Sequence, residues 1–184
     1  MQSGMQKITG IRVVLRLVTP ADAAYIHALR RDPRYSAHLS AVTGGVQDQR
    51  AWIERYQLRE AAGREFYYII ERCLDGLPCG VVRLYDITDT RFTWGSWILD
   101  ENKPPLAALE SAVLIYTLGF DVLQTIRCVF DVRQHNDRTL AFHRRFGAKR
   151  TGEDALNIYF EYTRVRFEAD RAAHLQAIKA NAGR

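Results

Sequence analysis

Residues 11–18 form a β-branched run, and Thr19-Pro20-Ala21-Asp22 follows with an N-cap residue, a proline suited to a first helical turn and an acid three positions on. This predicts a first strand feeding a first helix, which must stop by Asp32 because Pro33 forces the preceding residue out of the α region. A polar loop over 34–45 leads to a second helix over about 47–61. There Gln49, Trp52, Ile53 and Tyr56 recur at i, i+3, i+4 and i+7, and Gly63 ends the run. Residues 66–73, 80–87 and 92–99 are aromatic and β-branched, separated by Asp75-Gly76 and Asp89-Thr90-Arg91, and read as an antiparallel meander. Pro104-Pro105 opens a helix to about Val122, with Pro105 at its first helical position. Its apolar face, Leu106, Leu109, Val113, Tyr116 and Phe120, is widened by Leu114 and Leu118. A strand over 126–132, a short helix capped by Asn136 and ending at Phe146-Gly147, a strand over 156–167 and a terminal helix over 168–181 complete the pattern.

The expected order is β-α-α-β-β-β-α-β-α-β plus a C-terminal helix, with strands mostly antiparallel and one strand–helix–strand crossover near 104–123. This is an α+β layer fold. No repeat, low-complexity tract or Gly/Ser linker interrupts the sequence, so residues 8–167 are taken as one domain and 168–184 as a helical tail.

With 184 residues, 47% of them hydrophobic, the chain is long enough to bury a core without disulfides or metal, which excludes disordered and mini-protein classes. The first seven residues lack an apolar h-region, and residues 104–123 are interrupted by Glu110 and Asp121. Neither a signal peptide nor a membrane span is expected. Cys73, Cys79 and Cys128 are an odd number without paired CxxC spacing, so a reduced, cytoplasmic, metal-free protein is expected. The net charge of +5 is concentrated: Arg133, Arg138, Arg144, Arg145, Lys149 and Arg150 face only Asp131 and Asp137 within 131–150. Such a patch suits a phosphate-type anion or is simply a solvated helix face. No motif for nucleic acid accompanies it.

Two stretches concentrate the candidate chemistry. The first, Gly95-Ser-Trp97-Ile98-Leu99-Asp-Glu-Asn-Lys103-Pro-Pro-Leu106-Ala107-Ala108-Leu-Glu110, passes from strand through a loop into a helix whose first turn is small. Small residues admit a ligand to the backbone, and the free N–H groups and dipole of a helix start favour phosphate. The alternative is a helix packed closely on a sheet. The second stretch runs from Asp131 to Lys149. In it Asn136 is a helix cap, Phe142 and Phe146 pair inward at i, i+4, and His143 falls at the helix margin. Ser96 has no His-Asp partner nearby, so a serine hydrolase has little support.

Together these stretches resemble the GNAT family of acyl-CoA N-acyltransferases over most of residues 11–167. In that family an Arg/Gln-x-x-Gly-x-Gly/Ala loop wraps the pyrophosphate of CoA. Lys103, Leu106 and Ala108 occupy its three defined positions, Ala108 matching and Leu106 standing where the family has glycine. Gly95, Trp97, Glu110 and the Asn136…Gly147 spacing look most like the branch containing ribosomal-protein and amino-sugar N-acetyltransferases. The resemblance implies acetyl-CoA as co-substrate and no metal. It places the thioester at the backbone of Trp97, Ile98 and Leu99, and the phosphates at Lys103, Leu106, Ala107, Ala108 and the nearby Arg138. It also places the pantetheine arm at Asn136, and gives His143 the position of a residue that returns a proton to the CoA thiolate. Asp86, Glu71 and His38 are the candidates to accept the proton of the amine.

The loop Arg30-Arg-Asp-Pro-Arg34-Tyr35-Ser-Ala-His38 falls where this fold covers the acceptor, and with Arg83, Tyr85 and Trp94 it supplies cations and rings for a phosphorylated sugar. The expected function is acetyl transfer to a small amine, an amino-sugar nucleotide first. A protein N-terminus is the second choice, and a non-catalytic acyl-CoA-binding domain the third. A homodimer is compatible with this class; nucleic acid and membrane are not expected partners.

Overall fold

In the computed structural model, which describes residues 3–39 and 43–180, the aromatic meander is the middle of an eight-stranded sheet. The strands are β1 (Lys7–Thr9), β2 (Val13–Leu17), β3 (Phe66–Arg72), β4 (Pro78–Tyr85), β5 (Arg91–Leu99), β6 (Arg127–Arg133), β7 (Lys149–Glu153) and β8 (Asn157–Thr163), in spatial order β1-β2-β3-β4-β5-β6-β8-β7. All neighbours are antiparallel except β5 and β6. That parallel pair needs a crossover, and α4 (Ala107–Thr117), extended by a π-helical turn over Leu118–Val122, provides it.

The helices cover both faces. On one side α1 (Ala23–Arg31) and α3 (Val46–Ala61) bury Ile26, Leu29, Ile53 and Tyr56 against Tyr67, Ile69, Val81 and Ile98. The short α2 (Pro33–Ser36) follows α1, whose end at Asp32 before Pro33 is as the sequence requires. On the other side α4, α5 (Asp137–Phe146) and α6 (Arg164–Ala180) cover the larger core around Phe92, Trp94, Tyr116, Phe130, Phe160 and Phe167. Buried Glu110 accepts the backbone N–H groups of Ile11 and Arg12, which pins the β1–β2 hairpin to the first turn of α4.

Three expectations are corrected. The final strand expected over 156–167 is shorter, β8, which pairs with a preceding strand, β7, and gives way to helix at Arg164. The Thr163 hydroxyl caps that helix by accepting the Arg166 N–H at 3.3 Å, and Arg164–Glu168 and Arg166–Asp170 support it at i, i+4. The end of the expected tail helix, residue 181, lies outside the described residues, as do positions 40–42 of the polar loop. A short additional strand, β1, precedes the first one expected. Finally, α4 starts at Ala107 rather than at Pro105: the Ala107 N–H donates to the Pro104 carbonyl at 3.2 Å and Leu106 sits at φ 63°, ψ 7°. That is a type II turn with proline at its second position and a left-handed third position.

At the other end of the site, Gly147 ends α5 at φ 106°, and a β-carbon there would lie 2.8 Å from Asp170 Oδ2 on α6. Gly147→Ala should therefore lower unfolding stability by about 2 kcal/mol, combining left-handed strain with displacement of α6. Urea denaturation checks this, and an unchanged midpoint would show that α6 moves away without cost.

The three cysteines are free, Cys79 and Cys128 buried and Cys73 exposed. Among the described residues no helix is long and apolar enough to cross a membrane, and no cluster has the makings of a metal site.

Candidate active site

Strands β5 and β6 pair only at Arg91↔Arg127 and Phe92↔Cys128, and then separate. Beyond that point the β5 edge facing β6 has no strand partner, although its other edge is paired to β4 through Ile98 and Leu99. The register of β4 and β5 slips by one residue between Val81 and Arg83, and Ser96 takes a positive φ of 47°. This β-bulge resets the alternation, so Trp94 and Trp97, three positions apart, lie on the same face with ring centroids 5.2 Å apart.

The gap between the strands is closed from above by α5. Its inward residues are Leu140, His143 and Phe146, while Arg138, Phe142 and Arg145 line open space along its flank. One cavity of about 640 Å³ runs between α5, residues 103–109 and His174 of α6. A second, of about 340 Å³, lies between Trp97, Ile98, Leu99, α5 and the α2 loop. Lys103, Ala108, Arg138 and Phe142 belong to the walls of both.

The loop before α4 is held in place from both sides. Tyr25 on α1 donates its hydroxyl to Asp100 at 2.7 Å, and Asp100 accepts the Asn102 N–H at 2.7 Å. At the helix start Pro104 and Pro105 offer no N–H and that of Ala107 is taken by the turn, which leaves Leu106, Ala108 and Leu109 to meet an anion. Leu106 holds its left-handed conformation at a cost of roughly 1–2 kcal/mol, strain placed in the wall of the larger cavity.

The structure gathers much of the expected site. Trp97, Ile98, Leu99, Lys103, Ala108, Asn136 and Arg138 line the second cavity together with Arg34, Tyr35 and His38; Leu106 and Ala107 line the first. Asn136 is also the cap of α5, accepting the Thr139 N–H at 3.3 Å. Arg34 is engaged by Asp32 at 2.7 Å and Glu101 at 2.9 Å, in pairs exposed to water.

Other expected residues sit elsewhere. His143 is not at the helix margin but 3% exposed, packed on Phe130 with ring centroids 4.4 Å apart and against Trp94, Trp97 and Phe142. Burial pushes its pKa down to about 3 and its Nδ1 has no hydrogen-bond partner, so it is a neutral imidazole at pH 7 and offers no imidazolium proton. Phe142, expected inside, lines both cavities; the buried phase of α5 is 140-143-146. Trp94 is buried in the core. Arg83 is committed to buried Glu65, which also binds Arg59 at 2.7 Å, and its guanidinium lies over Trp52 and Tyr85. Asp86, exposed just past β4, and Arg30 line neither cavity. Glu71 is bound to Arg16 at 2.6 Å.

Thr139, Arg145 and His174 join the walls without having been expected. Thr139 and Arg145 follow from the phase of α5 once its inward face is known; His174 lies far away in sequence and gives no signal of its own.

Residues 12–149 match the model for the acetyltransferase (GNAT) domain. No curated protein sequence matches the chain. Among solved structures, apo FdhC, described as a nucleotide-linked sugar GNAT, is 38% identical, covering 91% of this chain and 96% of its own, with a TM-score of 0.85. Mycobacterium smegmatis RimJ in complex with CoA-disulfide is 17% identical, covering 97% of this chain and 98% of its own, with a TM-score of 0.79. The ribosomal-protein-S5-alanine acetyltransferase from Vibrio fischeri is 14% identical over 85% of this chain and 96% of its own, with a TM-score of 0.70. At those two lower identities the likeness is one of fold alone.

Proposed function

The chain belongs to the GNAT acetyltransferase family, acyl-CoA-dependent N-acetyltransferases, and from that premise we propose that it acetylates the amine of an amino sugar joined to a nucleotide diphosphate. The observation that carries this reading is the 38% identity, over 91% of the chain, to a structure described as a nucleotide-linked sugar GNAT. The ribosomal-protein acetyltransferase likeness, at 14% identity, concerns the fold and gives a peptide acceptor no comparable support.

The residues present fit an elongated phosphorylated thioester. Lys103, Arg138 and Arg145 offer cations around the larger cavity, while Trp97, Phe142 and Ala108 give the smaller one an apolar wall. Acetyl-CoA supplies the activated acetyl group that the acceptor amine attacks. The backbone of Trp97 to Leu99, on the open edge of β5, orients the thioester and its amide-bearing arm, with Asn136 and Thr139 opposite. Tyr35, His38 and Thr139 carry exchangeable protons at the same cavity. We assign the amine's proton to the His38 and Tyr35 end, and the return of a proton to sulfur to the Thr139 side in place of His143.

Arg34 and Tyr35 would meet the nucleotide of the acceptor. The carboxylates holding Arg34 do not forbid this, because exposed pairs are worth only about 0–1 kcal/mol and a diphosphate can replace them.

The test is acetylation of a nucleotide-diphosphate-linked amino sugar, the same free amino sugar and an N-terminal peptide, read as released thiol. The linked sugar should have a kcat/KM at least about tenfold higher, and Arg34→Ala should reduce that advantage mainly through KM, since the contact is remote from the reacting amine. Equal rates for both sugars would remove the nucleotide, and preference for the peptide would give the activity to a protein N-terminus.

A further inference from the structure

Helix α6 lies beyond the segment matched to the family model, residues 12–149, and would pass for a packing appendage. Its anchoring is strong: Phe167 and Ile178 are buried, Arg171 pairs with Asp121, and Asp170 accepts from Tyr162 at 3.1 Å and Arg166 at 2.6 Å. One turn after Asp170, the same face presents His174 to the wall of the larger cavity, across from residues 103–109 and beside Arg138 and Arg145. The imidazole stacks on Phe146 with ring centroids 4.3 Å apart and planes 19° from parallel. Its Nε2 is buried and has no hydrogen-bond partner.

A buried ring nitrogen without a partner costs about 1–3 kcal/mol, and this one stands in the wall of a cavity whose other polar side chains are cations. Neither the stack on Phe146 nor the anchoring of α6 uses that nitrogen. An incoming anion would. We propose that His174 is a cofactor-selecting residue that hydrogen-bonds a phosphate oxygen of the nucleotide end of acetyl-CoA, making the C-terminal helix the third wall of the cofactor site.

This rests on the acyl-CoA reading given above and assigns it a residue outside the family segment. The electrostatics give it a distinctive signature. Burial holds the His174 pKa below its usual value, Asp170 and the Phe146 carbonyl oppose that, and Arg166 adds to it; Arg138 and Arg145 on α5 and Lys103 on the loop before α4 also face the cavity. A phosphate placed against Nε2 would reverse the balance, so the ring should take up a proton on binding.

The measurement is calorimetry of CoA binding near pH 7 in buffers of different ionisation enthalpy, on the intact protein and on His174→Phe, which keeps a ring against Phe146 but removes the nitrogens. Wild type should bind with proton uptake; His174→Phe should bind about tenfold more weakly with none, while its turnover of acetyl-pantetheine, which lacks the nucleotide, stays within twofold. His174→Gln, which can bond but not titrate, should lose the proton uptake and keep part of the affinity, and serves if the phenylalanine variant is unstable. Loss of the wild-type advantage with dephospho-CoA would place the contact on the 3′-phosphate, and its persistence on the pyrophosphate; both sustain the proposal. CoA binding by His174→Phe within twofold of wild type would overturn it. Failure of the wild type to bind CoA at all would instead bring down the acyl-CoA reading itself.

Discussion

Arg138→Glu should weaken CoA binding by about 100-fold at low ionic strength. Arg138 belongs to the walls of both cavities, and on the acyl-CoA reading proposed above it stands where the phosphate-bearing and arm-bearing parts of the cofactor would meet. Unlike Arg34, it has no carboxylate partner among the described residues, and its charge is available to a ligand. A charge-assisted hydrogen bond to phosphate contributes about 1.5–3 kcal/mol, and reversal adds repulsion; about 1.4 kcal/mol corresponds to each tenfold of affinity. The difference between variant and wild type should shrink as salt is raised. Arg144→Glu is the control: it changes charge equally on the same exposed helix, lines neither cavity, and should shift affinity no more than about threefold. Calorimetry or a thermal shift with CoA decides the matter, and an Arg138→Glu protein that binds as tightly as wild type would separate the basic helix from the cofactor.

That contrast shows what the basic stretch over 131–150 does and does not say. Read as one patch it carries four net positive charges, yet the fold divides it: Arg138 and Arg145 line the cavity, while Arg150 turns to Glu153 on the edge strand β7. Linear charge density finds the neighbourhood, and helical phase decides which side chains serve it. The same logic separates the legible parts of the fold from the hidden ones. The meander and the buried crossover helix were readable because aromatic and β-branched side chains mark strands packed on both faces, as Tyr67, Tyr68 and Ile69 do. Strand β7 was not: Lys-Arg-Thr-Gly-Glu has no apolar alternation, since it borders only one neighbour and points its side chains at water. At Val165 and Phe167 a β-like composition concealed a helix whose start is fixed by the Thr163 cap.

Within the site, local motifs located walls of the two cavities, from Lys103 to Ala108 and from Asn136 to Arg138, because each is a loop running into a helix with its own backbone signature. Assignments that depended on which way a side chain faces went astray for identifiable reasons. The one-residue bulge at Ser96 sets Trp94 and Trp97 on a single face, so strict alternation along β5 misplaces one of them. Arg83 looked free for a phosphate because its partner, Glu65, lies eighteen residues earlier and meets it only when β3 pairs with β4. The sequence pairs Phe142 with Phe146 at i, i+4 and so puts His143 at the margin. The structure exchanges the two, burying the imidazole and turning Phe142 to the cavities.

His143→Phe should flatten the acid limb of the protein's stability curve while leaving turnover near neutral pH within a few-fold of wild type. In the folded protein burial among Phe130, Trp94, Trp97 and Phe160 lowers the imidazole's pKa to about 3, against 6.5 for the unperturbed group. The unfolded chain therefore binds a proton below about pH 6.5 that the folded one refuses. Stability is complete above that pH and is lost as pH falls toward the folded value, at about 1.4 kcal/mol per unit and about 5 kcal/mol in all. Phenylalanine fills nearly the same volume, keeps the ring contacts and has no proton to bind, so the variant should gain on wild type progressively from pH 6.5 downward. His174, whose pKa is also lowered, tilts both curves alike and drops out of the difference. Urea unfolding of the two proteins from pH 7.5 to pH 4.5 measures the divergence directly. Parallel curves would mean that water or a neighbour reaches the ring and that the imidazole titrates in place. A well-folded His143→Phe enzyme with turnover down about 100-fold would return the imidazole N–H to the chemistry at sulfur.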